Sequence, residues 1–134
     1  MMNASLFRRF VVASLFAVSA AASAQQSVSF VEPVDGATVT SPFKVKFAVS
    51  GMEVKPAGDM SANTGHHHLL INAMSVKSGE VVPADETHLH FGKGQTETEV
   101  KLAPGTYKLT MQFANGLHQS YGEGMSKTIT VHVK

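Results

Sequence analysis

TYKLTMQF, Thr106 to Phe113, sets Tyr107, Leu109, Met111 and Phe113 against Thr106, Lys108, Thr110 and Gln112. A period of two is that of a strand with one face on a core and the other toward water. FKVKFAVS, Phe43 to Ser50, repeats the pattern, with Phe43, Val45, Phe47 and Val49 on one side. Ile129, Val131 and Val133 do the same near the end of the chain, alternating with Thr128, Thr130 and His132. A shorter strand starts at Val28 and Phe30 and ends before Pro33, and another holds Val100 and Leu102. From His66 to Ala73 the apolar residues Leu69, Leu70 and Ile71 are consecutive, which predicts a strand covered on both faces.

Asp35-Gly36, Ser41-Pro42, Pro104-Gly105 and Asn115-Gly116 punctuate these runs as turns. No stretch of the chain after residue 24 keeps a 3.6-residue period long enough for a helix. About seven short strands with regular turns predict an all-β fold, an immunoglobulin-like antiparallel β-sandwich. Phe43, Val45, Phe47, Leu69, Ile71, Leu109, Met111, Phe113, Ile129 and Val131 are expected to share its core. Met52 to Gly65 and Lys77 to Thr87 read as long loops, the usual seat of binding residues on a rigid scaffold.

Residues 1–24 are set apart from this pattern. Arg8 and Arg9 precede an apolar run from Phe10 to Val18, and Ala22-Ser23-Ala24 is a small-residue cleavage site. That is the layout of a signal peptide, so the folded domain is expected to span 25–134, in a periplasm or outside the cell. Later segments are too short in their apolar runs to span a bilayer. Both arginines leave with the signal, and nine lysines then face ten acidic residues. A chain with no arginine and no basic run lacks the means to grip phosphates, which argues against nucleic acid or an anionic membrane as partner. Cysteine is absent, so disulfides, thiolate nucleophiles and zinc ribbons are excluded together.

Seven histidines stand out in so short a chain, and five fall in two segments: His66, His67 and His68, then His88 and His90. On a strand, side chains alternate, so His66 and His68 share one face and His67 the other, on the side of Leu69 and Ile71. Each H-x-H pair spaces its Cα atoms about 6–7 Å apart, close enough for two rings to converge on one ion. Adjacent pairs would make a site of three or four imidazoles, a ligand type suited to copper, zinc, nickel or iron. The expected metal ligands are His66, His68, His88 and His90, with His118 as a fifth, and the expected ion is copper or zinc. His67 on an apolar face reads as a core residue, and His132 as a solvated one. The methionines read as core filler, Met60 beside the histidines being the one to watch.

TGHHHLLIN, Thr64 to Asn72, and HLHFGKGQTE, His88 to Glu97, together resemble the secreted bacterial family called domain of unknown function DUF4399. The resemblance extends through Pro83-Ala84-Asp85, Pro104-Gly105 and the closing hairpin to Val133. It implies the fold and the histidine positions, and brings no activity with it. Many members have a histidine after the Pro-Gly turn, where this chain has Tyr107. Many also have a second histidine in the late loop, where this chain has His118 alone.

Three functions compete at this point. One is an exported metal-binding module for storage, delivery or sensing, its site preorganised on rigid strands. Another is a structural or interaction module whose histidines are incidental. The third is a cupin-like metalloenzyme, for which Gln95 stands where an acid is usual and Tyr107 where a histidine would close the site. No G-x-S-x-G and no phosphate-binding loop occurs, so the reading favours a binder over an enzyme.

Overall fold

The computed structural model describes residues 12–14 and 25–134, so the signal-peptide reading lies almost wholly outside the described residues. The alternating segments are strands. They are β1 (Ser27–Glu32), β2 (Thr38–Val39), β3 (Phe43–Ser50), β4 (Glu53–Val54) and β5 (Thr64–Ile71). β6 (His88–His90), β7 (Glu97–Val100), β8 (Gly105–Ala114) and β9 (Ser126–Val133) follow. A single 3-10 turn, Glu123–Met125, precedes β9. Among the described residues no helix is long and apolar enough to cross a membrane.

Two sheets share the core. The smaller has the order β1-β3-β7, and the larger β2-β9-β8-β5-β4, with β6 also paired to β5. Phe43, Val45 and Phe47 point inward from the first. Leu69, Ile71, Leu109, Met111, Phe113, Ile129 and Val131 meet them from the second, so all ten residues expected in the core lie in one cluster. Leu109 is fully buried, and we expect Leu109→Ala to lower unfolding free energy by about 2–5 kcal/mol in a urea titration.

The fold differs from the sequence reading at its edges. β2 and β4 are two residues long and run parallel to β9 and β5, so the sandwich is not wholly antiparallel. Neither is long enough to show a period. Leu102 lies beyond β7, which draws instead on the largely polar Glu97 to Val100. That strand pairs with β3 through Lys44 opposite Glu99 and Lys46 opposite Glu97, so cross-strand charge rather than apolar alternation marks it.

β5 is buried at all eight positions, as its unbroken apolar run implies. One face meets the other sheet. The opposite face carries His66, His68 and Leu70 and is roofed by chain from Asn72 to Thr87 and from Asn115 to Gly122. Leu70, Val82 and Ala114 form a second small apolar cluster under this roof. Gln112, opposite His68 on β8, holds the roof down. Its Oε1 accepts the Val76 N–H at 3.0 Å and its Nε2 donates to the Gly122 carbonyl at 3.0 Å. The two roof segments also join each other, Val82 N–H donating to the His118 carbonyl and Ser120 Oγ–H to that of Val76.

Candidate metal centre

Register brings the histidines together. His68 pairs with Gln112 on one side and His90 on the other, so His90 projects from the same face of the sheet. His66 is two residues back along β5, on that face too. His118 arrives from above, on the roof turn that follows β8. His66, His68, His90 and His118 each offer a ring nitrogen, and these four atoms lie within 4.8 Å of one another. Ring centroids are separated by 4.6 Å for His90 and His118 and by 5.8 Å for His68 and His118, the extremes of the six pairs.

The shortest contacts are between nitrogens. His66 Nε2 lies 3.1 Å from His68 Nε2 and 3.1 Å from His118 Nδ1. Neutral imidazole has one N–H and one lone pair, so hydrogen bonds alone cannot match every nitrogen of such a group. An ion bound at about 2.0–2.1 Å sets neighbouring nitrogens roughly 3.3–3.4 Å apart in a tetrahedron and about 2.9 Å apart in a square plane. The two 3.1 Å contacts fall between these limits, while the full spread of up to 4.8 Å requires the outer rings to close on a bound ion. The donor set excludes hard cations, which require oxygen, and suits zinc or copper.

Local structure fixes each ring. His66 and His68 are 0% and 1% exposed, locked by packing in the middle of the sheet. Their far nitrogens, both Nδ1, are buried without hydrogen-bond partners. His90 sits over Gly92. A Cβ there would lie 2.3 Å from the His90 ring and 3.3 Å from Ala57, so the ring occupies the space a side chain would take. We expect Gly92→Ala to displace His90 and weaken metal binding at least about tenfold by calorimetry, a 1.4 kcal/mol effect, with thermal stability of the metal-free protein little changed.

His118 has φ 63, a left-handed conformation that costs a histidine energy it would not cost glycine. Its turn is enforced. His118 N–H donates to the Asn115 carbonyl, and Asn115 Oδ1 accepts the N–H groups of Leu117 and Gln119. Gly116 lets this turn press on the preceding loop, since a Cβ there would fall 2.3 Å from the Asp59 carbonyl oxygen.

Burial favours the neutral form of His66, His68 and His90. It lowers His66 to about 4, with help from the neighbouring charges of His90 and His118. His68 falls to about 3, again chiefly by burial and then by the surrounding histidines. His90 is lowered by the same two causes, burial before the neighbouring His118. Neutral lone pairs are what a metal needs. An imidazole at its ordinary value of 6.5 loses metal to protons as pH falls below about 6; burial moves that competition to more acidic pH for His66 and His68.

The remaining residues of interest lie elsewhere. His88 is not among the four. It faces Leu70 across the β5–β6 pair, and its Nδ1 donates to Asp85 Oδ1 at 2.7 Å. His67 projects into the core, stacked on Phe47 at 5.0 Å and edge-on to Phe113 at 5.1 Å. His132 contacts Thr106 Oγ1 on the outer surface of β9. Met60 is half exposed on the neighbouring loop and Met111 fully buried in the core. Gln95 accepts the Lys93 N–H, and Tyr107 donates its hydroxyl to the Ala103 carbonyl, so both are engaged away from the four histidines. Gln112, Gly92 and Gly116 position the site without belonging to it. The HFG motif and the Asn115-Gly116 turn marked the two glycines in the sequence, whereas Gln112 carried no signal.

Fold and site define an all-β sandwich carrying a four-histidine cluster that can hold a metal ion on the outer face of its larger sheet. The chain belongs to the family described as domain of unknown function (DUF4399), whose model matches residues 45–134. All four histidines lie in the matched region. None of the curated proteins matches the chain in sequence. A solved structure with partial likeness is the endo-β-1,4-mannanase from Thermotoga petrophila, at 14% identity and TM-score 0.48. The match covers 81% of this chain and 20% of the mannanase chain, and at that level it bears on neither fold nor activity.

Proposed function

We propose that the protein is an exported module that binds one transition-metal ion, copper or zinc, through His66, His68, His90 and His118. One observation carries this reading: four imidazole nitrogens from three separate segments lie within 4.8 Å of one another. A fortuitous cluster would not be expected to combine two buried rings, a strained turn and a glycine cleared for a third ring. The task is storage, delivery or sensing of the ion. Export is supported by Arg8-Arg9, the apolar run and Ala22-Ser23-Ala24.

Elemental analysis of untagged protein purified from the periplasm tests the site, with one equivalent of metal expected and an absence of metal even after loading fatal to it. Intact mass of the same sample tests export. A mass beginning at Gln25 is expected, and retention of residues 1–24 would exclude it.

A further inference from the structure

A divalent ion in this site keeps its full charge. All four ligands are neutral imidazoles, and the ligand group contains no carboxylate. Two of the rings are almost completely removed from water. Dications elsewhere are commonly neutralised by thiolates or carboxylates among their ligands, and an uncompensated charge at the edge of a protein interior attracts a counter-ion.

The structure provides a place for one. A cleft of about 290 Å³ opens beside the cluster. His68, His90 and His118 form one side of it, and Val81, Val82, Pro83 and Ala84 form the other. It reaches the surface at His90 and Ala84, which are exposed. Apart from the histidines, its lining side chains are apolar and offer no hydrogen bond. A ligand entering here meets the ion and its histidines on one side and an aliphatic wall on the other.

We propose that the metal-loaded protein binds a small monoanion in this cleft, directly on the ion, and that the wall favours a carboxylate with a short apolar tail. The inference rests on the four-histidine metal site and adds a second ligand to it. It makes the protein a receptor for an ion and an anion together.

Copper(II) is the probe, because it outcompetes the other divalent metals for nitrogen sites. Protein loaded with copper and freed of excess is first shown to retain one equivalent by elemental analysis, then titrated with azide. A saturable azide-to-copper charge-transfer band is expected. Butyrate should displace the azide at lower concentration than formate. Ala84→Phe and Val81→Phe, both at exposed positions, should each weaken azide binding about tenfold or more while copper content stays at one equivalent. Retained copper with no azide band overturns the anion site alone, as does unchanged azide affinity in both cleft variants. Formate competing as well as butyrate overturns the preference assigned to the wall. Failure to retain copper overturns the metal site and the anion site with it.

Discussion

His66→Ala combined with His68→Ala abolishes retention of one metal equivalent. The two rings are the buried half of the cluster, and no other group in the cleft can replace them. Removing a supporting group behind a ligand already costs about 10–100-fold in metal affinity. Deleting two ligands should exceed that range and bring binding below detection by calorimetry. The wild-type protein should gain thermal stability when metal is added, since an ion that binds only the folded state stabilises it by mass action. The double variant should show no such gain. His88→Ala and His132→Ala should retain metal, because Asp85 and Thr106 hold those rings outside the cluster. Loss of metal in His88→Ala, or full retention in the double variant, would reject the assignment of ligands.

Acid should unfold the metal-free protein early, and His67 should be a principal cause. Burial lowers His67 to about 4, with a smaller contribution from His66. Unfolded, the same ring titrates near its ordinary value of 6.5. Between those values the unfolded chain binds more protons than the folded one, so stability falls as pH falls from 6.5 toward 4. Each pH unit of that window is worth about 1.4 kcal/mol, so His67 alone removes on the order of 3 kcal/mol. His66 and His68 act in the same direction. Both ring nitrogens of His67 are buried without partners between Phe47 and Phe113. His67→Phe deletes the titration and the unmatched nitrogens in one step. It should raise stability at neutral pH by about 1–3 kcal/mol and shift the acid midpoint downward. His67→Leu checks against overpacking by the larger ring. An acid midpoint unchanged in both variants would show that His67 does not drive the transition.

The core was legible because it rests on parity. Tyr107 to Phe113 and Phe43 to Phe47 declare their buried face by alternation alone, and burial on both faces of β5 follows from Leu69-Leu70-Ile71. Parity also paired His66 with His68 and separated them from His67. It could not choose between His88 and His90, which share a face. That choice depends on register against β5 and on Asp85, three residues before His88, neither of which a period reveals. His118 could be suspected but not placed, since its position depends on a turn closed by Asn115 and pressed against Asp59. The roof was read only as loop. Its hydrogen bonds converge on Gln112, which in sequence is one more polar residue on a strand's outer face.

The three segments that supply the histidines are far apart along the chain, and His66 and His118 are separated by 52 positions. A cation joining them would close two long loops at a single point. Disulfides supply such closure in many small domains, and this chain has no cysteine with which to form one. Ligation would therefore act as a removable cross-link within the folded domain, tying the three segments together and pinning β6, a strand of three residues at the sheet's edge. Cargo and fastener would be the same atom, so surrender of the metal would leave a domain whose edge opens more readily. Hydrogen exchange at Leu89 and His90 would record that opening.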